Sequence, residues 1–315
     1  MRRSSAIRAA AWGVVAAGTA APLARKHVRA PALLVQAVAF TAPVGLCVAV
    51  RRSRARDVAA CCLQMWAYVA AYKHPHDDPH EQRRNTHFDY PIVADRVLGL
   101  GELPTVRLQR ALATVGPAGA EWSALDRALV WAHWSWFMVP HGALVYILVR
   151  HPERFPRAAT MTYAVFDTGA SFYWLLPTAP PWYAAEAMPG ARSVPAVRRM
   201  MVEYGELFWQ DGWGPLYSVF GGNPLAAMPS LHFATSLMAA LLLAEVGVLP
   251  GALGFAYLVA LGFALVYLGE HYLVDLLGGV ALTAAVRRLA PPAAPLAARF
   301  GRAVAALERI AHEPA

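Results

Sequence analysis

Charge is scarce in this chain. Of its 315 residues only 15% are Asp, Glu, Lys or Arg, against about 25% in an ordinary soluble domain, while 57% are hydrophobic. That imbalance argues against a water-soluble globule. Cysteine is scarcer still: Cys47, Cys61 and Cys62 lie in or beside apolar stretches, with neither zinc-type spacing nor the even set of a disulfide framework. They carry no redox or metal message. Acidic residues are outnumbered 20 to 28, for a net charge of +8. In a soluble chain this would suggest nucleic acid. Here the arginines sit between and beside apolar runs, where the positive-inside rule expects them, so nucleic acid is not an expected partner. Internal repeats and low-complexity tracts are also lacking, which leaves one membrane domain.

What the chain does have is a series of near-uncharged apolar runs, each about as long as a helix that crosses a hydrocarbon core of about 30 Å. Residues 128–149, 158–176, 231–249, 251–268 and 272–286 are five such runs, and 32–50 is a sixth. The shorter run 58–72 reads as a tilted span or an interfacial helix. The fold predicted is an all-α polytopic bundle of six core spans, with one or two more at the N-terminus. Residues 9–23, which follow Arg2, Arg3 and Arg8, read as a weak signal sequence or an extra span. The resulting plan is a basic segment 1–30, N-terminal spans and a polar loop over 31–125, a membrane core over 126–290, and a proline-broken basic tail over 291–315 expected as a surface helix.

Arg150, Arg154 and Arg157 fill the connection between two central spans, and Arg287 and Arg288 close the last one. Both sites are expected on the cytoplasmic side. Alternation then puts the loop 177–228, the start of the 231 span and the turn at Glu270 and His271 together on the extracytoplasmic side of a multi-pass cell-membrane protein. Trp131, Trp134, Trp174, Trp182, Trp209 and Trp213 fall at that level, as an aromatic belt does. Arg25, Lys26 and Arg29 compete with Arg51, Arg52, Arg54 and Arg56, so the first two spans have no assigned orientation.

Two stretches carry chemistry. Asn223-Pro-Leu-Ala-Ala-Met-Pro-Ser-Leu-His232 leads straight into an apolar helix; its proline and serine signal a helix start, and the free amides of that first turn form an anion site. About forty residues later, Tyr267-Leu-Gly-Glu-His-Tyr-Leu-Val-Asp275 spaces His271 and Asp275 four apart. On a helix the carboxylate then holds one ring nitrogen and leaves the other free to attack. The expectation is two imidazoles around a common void beneath one membrane surface, with Asp275 bracing the second.

Pro229-Ser-Leu-His232 and His271-Tyr-Leu-Val-Asp275 resemble the second and third motifs of the type 2 phosphatidic acid phosphatase (PAP2) superfamily. The resemblance is closest to its inositol-phosphotransferase branch, which includes the fungal inositol phosphorylceramide synthases. Leu176-Pro-Thr-Ala-Pro-Pro-Trp182 also resembles that branch, and the similarity covers roughly residues 95–288. The resemblance implies an enzyme with no cofactor and no metal. It implies that His271 is the nucleophile and forms a phosphohistidine, that Asp275 orients it, that His232 is general acid then base, and that Ser230 helps hold phosphate oxygens. The partners implied are a phospholipid donor and a lipid or polyol acceptor; oligomeric state is not implied.

Departures from the family are informative. Phosphatases of the superfamily carry basic residues at positions that align here with Gly169, Leu176 and Leu265. None is basic, which favours a phosphodiester donor over the more highly charged monoester. Transition-state charge must still be stabilised. The first-turn amides after Pro229 are one source, and Arg192, Arg198 and Arg199 in the covering loop are another, or else a headgroup-facing surface cluster.

Ionisable groups within spans need partners. His141 and Asp167 fall at similar depth on adjacent helices, and a hydrogen-bonded pair lining the headgroup cavity is expected, though such a pair can be purely structural; His133 is a third such group. The loop Lys73-His-Pro-His-Asp-Asp-Pro-His80, with His87 and Asp89, reads as a solvated polar loop because Pro75 and Pro79 deny it the rigidity of a metal site. Glu270 either tunes the nucleophile, binds a hydroxyl or simply faces the turn. Gly278 and Gly279 read as close-packing positions. The rival function is a lipid phosphatase acting on phosphatidate or a polyprenyl phosphate. A transporter should show inverted repeats or broken helices, and neither is read here; a non-catalytic scaffold gives no reason for the His/His/Asp set.

Overall fold

The computed structural model describes residues 2–28, 30–73, 85–116, 119–187, 196–220 and 223–313. His74, His76, His80 and Arg192 lie outside the described residues. The chain divides into two compact units, one of residues 1–77 with 287–315, the other of residues 78–286.

The first unit holds helices α1 (Arg2–Val28), α2 (Ala32–Ala49) and α3 (Arg54–Lys73), with the last part of a long helix, α14 (Leu273–Ala311). Ala11, Val48, Ala49 and Ala311 form its small core. Arg56 is buried and closes the end of α2: its Nη1 donates to the carbonyls of Cys47 (3.3 Å) and Val50 (3.2 Å) and pairs with Glu308 Oε1 at 3.0 Å. A cation at a helix C-terminus satisfies carbonyls that have no partner within the helix.

The second unit contains α4 (Asp89–Leu98), α5 (Pro104–Leu112), a hairpin of β1 (Thr114–Gly116) and β2 (Gly119–Glu121), α6 (Ala124–Trp134), α7 (Met138–Arg150), α8 (Phe155–Leu175), α9 (Pro181–Ala187), α10 (Met200–Trp209), α11 (Trp213–Phe220), α12 (Leu231–Ala244), α13 (Val248–Tyr267) and the start of α14. Apart from that short hairpin, the described chain has the expected all-α character. Ser123 begins α6 with a capping box: its Oγ accepts from the Asp126 amide at 3.1 Å, and Asp126 accepts from the Ser123 amide at 2.8 Å. Tyr267 then donates to Asp126 at 2.5 Å, fixing α6 to α13.

Three described helices are long and apolar enough to cross a membrane: Ser4–Arg25, Ala32–Ala49 and Val248–Tyr267. Met138–Arg150 and Leu231–Ala244 are shorter apolar helices. The expected count of six spans is therefore met only in part. The run 128–149 is not one span but two helices, α6 and α7, separated at residues 135–137. Pro140 lacks the amide that would reach back to residue 136 and crowds that carbonyl. The backbone tightens instead, with Trp136 bonded to the His133 carbonyl (3.0 Å) and Met138 to that of Ser135 (2.9 Å). The expectation of unbroken helices fails here. At the other end of the chain, the tail is helical but not broken: α14 continues through Pro291, Pro292 and Pro295. The missing amides deprive the carbonyls of Arg287, Arg288 and Pro291, residues that are half-buried or exposed, where solvent can satisfy them.

Val165, Phe166, Met238, Leu261, Leu265 and Tyr267 are fully buried in the second unit, whereas Val248, Leu253 and Val259 face outward on α13. An apolar outer face of this kind suits a hydrocarbon surround. Helix α8 meets α12 at Gly169, where a Cβ would fall 2.3 Å from Leu231 Cδ2. A larger residue there would have to displace the Leu231 side chain. Arg157 pairs with the Glu245 carboxylate and Arg154 donates to the Glu245 carbonyl. These contacts tie the 150–157 connection to the α12–α13 turn, at the end of the bundle opposite His271.

Candidate active site

Both histidines are held by helix starts. Ser230 is the N-cap of α12, its Oγ accepting from the Phe233 amide at 3.3 Å, which puts His232 in the first turn. The residues before α14 hold His271: Gly269 turns the chain at φ +85°, where an added Cβ would meet the Arg198 carbonyl at 2.8 Å. Helices α12 and α14 touch where these starts lie. The Ser230 amide donates to the Asp275 carbonyl at 3.0 Å. A Cβ on Gly279 would stand 2.8 Å from the Ser230 carbonyl, so the close packing expected of that glycine is present.

The result is a chain of three side chains. His271 Nδ1 lies 3.3 Å from Asp275 Oδ2, and His271 Nε2 lies 3.2 Å from His232 Nδ1. Asp275 can only accept while ionised, so the network assigns the proton to His271 Nδ1 and leaves the Nε2 lone pair toward His232. The same Asp275 oxygen accepts from the Tyr272 amide at 2.9 Å. Asp275 is fully buried and His271 is 4% exposed, so both are shielded from bulk water. The expected void between the imidazoles is absent. At 3.2 Å the two rings touch, and a phosphorus between them requires the His232 ring to swing aside.

Three flanking elements complete the surround. The proline-rich phrase is a strap: His87 donates its amide to the Pro177 carbonyl (2.9 Å), Thr178 to that of Leu225 (2.9 Å), Ala227 to that of Thr178 (3.2 Å) and Trp182 to that of Gly269 (3.3 Å). It thus joins the segments before both histidine motifs. Tyr173 adds a hydrogen bond to the Pro229 carbonyl at 2.9 Å. Asp95 of α4 accepts from the Val274 amide at 2.8 Å, capping α14 from a distance. Burial pushes its carboxyl up from the ordinary 3.8 to about 6, against the lowering effect of those amide hydrogen bonds.

Among the described residues, Arg199 is the expected cation that reaches the residue beside His271. Its Nε lies 3.3 Å from Glu270, its Nη2 donates to Tyr217 at 2.7 Å, and its guanidinium stacks 3.4 Å from the Trp182 ring centre. Burial raises the Glu270 carboxyl, and Arg199 partly offsets that rise. Arg198 is engaged elsewhere, paired with Glu203 at 2.6 Å. Its backbone is the useful part: Gln109 accepts from the Arg198 amide (2.9 Å) and donates to the carbonyls of Arg198 (2.8 Å) and Tyr267 (2.9 Å).

His141 does not form the expected pair with Asp167. Its Nδ1 bonds the Phe137 carbonyl at 2.8 Å within its own helix, and its Nε2 has no hydrogen-bond partner among the described residues. Its ring packs on Phe137 and Phe166, away from the histidine pair. Asp167 is half-buried on α8, two residues before Gly169. The helix break carries Trp136 onto His232 instead, with ring centres 4.2 Å apart and its Nε1 donating to Thr235 at 2.9 Å. Trp131, Trp134, Trp209 and Trp213 form one aromatic cluster with Tyr204 and Phe208. A hollow of about 310 Å³ opens beside it, lined by Trp122, Arg127, Tyr204, Leu207 and Phe208, outside the histidine motifs. Among the described residues no group of three or more His, Cys, Asp or Glu side chains is arranged to hold a metal ion.

Fold and site together describe a helical protein with helices long and apolar enough to cross a membrane, built around a His/His/Asp chain whose His271 and Asp275 are buried. The PAP2 superfamily profile matches residues 117–289, more than half of the sequence, and the chain belongs to that superfamily of phosphate-transferring enzymes. It is 31% identical over 125 residues to the catalytic subunit of inositol phosphorylceramide synthase from Schizosaccharomyces pombe, covering 36% of this chain and 27% of that protein. The match thus spans only about a quarter of the relative, and it supports the inositol-phosphotransferase-like branch. No solved structure matches the chain.

Proposed function

We propose that this enzyme transfers a phosphodiester headgroup of the phosphoinositol type from a phospholipid to a lipid or polyol hydroxyl. The observation that carries the proposal is the hydrogen-bonded series Asp275, His271, His232, with steps of 3.3 and 3.2 Å. In the first half-reaction the His271 Nε2 lone pair forms a bond to phosphorus. The bond from phosphorus to the glycerol oxygen breaks, and that oxygen takes a proton from protonated His232. Diacylglycerol leaves, and the headgroup remains on His271 as a phosphoramidate ester, with Asp275 holding the ring and bearing on its positive charge. In the second half-reaction the acceptor hydroxyl gives its proton to His232 as its oxygen attacks phosphorus, and the nitrogen–phosphorus bond breaks. Water as acceptor makes the same chemistry hydrolytic.

Ser230 and the amides after it, at the start of α12, hold phosphate oxygens, and Arg199 supplies the charge that the family's basic positions would otherwise give. These steps need no metal. The uncharged residues at Gly169, Leu176 and Leu265 support a diester donor, as does the identity to the synthase subunit. The site lies on the extracytoplasmic side of the cell membrane, opposite the Arg154 and Arg157 end.

The test is incubation of purified enzyme with headgroup-labelled phosphatidylinositol and, separately, with phosphatidate. A new inositol-phosphate lipid from the first is expected, and His271→Ala should abolish it while leaving an extractable, folded protein. Free phosphate from phosphatidate with no reaction of phosphatidylinositol identifies a lipid phosphatase instead.

A further inference from the structure

One buried imidazole has no place in these steps. His133 lies in the last turn of α6 and is 9% exposed. Neither Nδ1 nor Nε2 has a hydrogen-bond partner among the described residues. Its ring stacks on His232, with centres 5.0 Å apart and planes inclined by 27°. His232 is thus flanked by His133, in the last turn of α6, and by Trp136, in the break that follows it.

An unpartnered buried polar group destabilises the fold, and apolar residues of similar shape would fill the same space without that cost. His133 carries two such atoms on a ring stacked against His232. The pattern fits a site completed by substrate. No carboxylate bonds the ring among the described residues, so it offers what neutral imidazole offers, one donor and one acceptor. Phosphate oxygens of a diester only accept. Hydroxyls both donate and accept, and adjacent hydroxyls of a polyol match the two nitrogens together.

We propose that His133 is a substrate-contacting residue that hydrogen-bonds the hydroxyls of a polyol headgroup held beside His232, and so selects hydroxylated phosphodiester lipids over plain ones. This rests on the transferase reading above. It adds a specificity determinant that lies outside the two histidine motifs.

The test compares two diester donors on the same purified sample in phosphatidylcholine nanodiscs: phosphatidylinositol, whose headgroup is a polyol, and phosphatidylmethanol, whose headgroup has no hydroxyl. Donor consumption gives kcat/KM for each, and their ratio is independent of how much protein is folded. Wild-type enzyme should prefer phosphatidylinositol. His133→Phe keeps a ring against His232 and should lower that preference about tenfold or more, through KM for phosphatidylinositol, leaving phosphatidylmethanol within about threefold. His133→Gln retains a donor and an acceptor and should keep most of the preference. An unchanged ratio in His133→Phe, or an equal loss of kcat on both donors, overturns the proposal and makes His133 a support for His232. A wild-type enzyme that consumes neither diester but releases phosphate from phosphatidate fails the transferase reading itself, a separate result.

Discussion

His271 and His232 meet because two helix starts are locked together through backbone atoms, and that leaves their side chains free for chemistry. Charge is supplied differently. Arg199 is positioned by Trp182, Tyr217 and Glu270, all of which it contacts, while Arg198 is neutralised by Glu203. Adjacent arginines therefore have unequal roles. Arg199→Gln should lower kcat/KM about 100-fold, the scale of losing one transition-state donor. Arg198→Gln should stay within about threefold, because its pair with Glu203 is partly solvated. Arg199→Gln also strands the largely buried Glu270 carboxylate, so the double variant with Glu270→Gln separates lost charge stabilisation from lost stability. Equal effects of the two single arginine variants, read from headgroup transfer, would contradict the assignment.

Among the elements, the start of α14 matters most, since Asp275 lies in its first turn and His271 just before it. Its cap comes from Asp95, nearly 180 residues earlier in sequence. The carboxyl of Asp95 rises to about 6 in the folded protein, so the folded state binds its proton more tightly than the unfolded state does. Stability from this group is then greatest below about pH 4 and falls as pH rises toward 6, by at most about 3 kcal/mol. Asp95→Asn keeps an acceptor for the Val274 amide and should flatten this part of the profile. Thermal melts in detergent between pH 4 and 7 read it; parallel profiles for parent and variant would refute the charge argument. The two histidine motifs were legible in sequence because each is a local helix start with its own cap or its own i,i+4 acid. Asp95, Gln109 and Thr178 were not, because each acts on backbone groups far away in sequence and has no local pattern. The break after Trp134 was written in Pro140, but an apolar count runs straight through it. Depth alone pairs His141 with Asp167, and depth takes no account of the Phe137 carbonyl in its own helix.

At the scale of the molecule, the second unit has two ends. One carries the 150–157 connection against Glu245, and the other carries His271, the strap and the tryptophan cluster. Composition could announce a membrane bundle, yet it could not count its helices, since α6 and α7 share one apolar run and α14 continues past its prolines. In a background without Cys47, Cys61 and Cys62, Asp211→Cys and Glu153→Cys report the two ends. Asp211→Cys should react with a membrane-impermeant maleimide in intact cells, and Glu153→Cys only after permeabilisation. The opposite pattern would invert the orientation and move the site to the cytoplasmic side.

The central claim is that the headgroup passes through a covalent bond to one imidazole. Rapid acid-free quenching of the enzyme during turnover of phosphatidylinositol, followed by peptide mass spectrometry, should find the phosphoinositol mass on His271 and nowhere on His271→Ala. An adduct on another residue, or undiminished headgroup transfer by His271→Ala, would contradict the account.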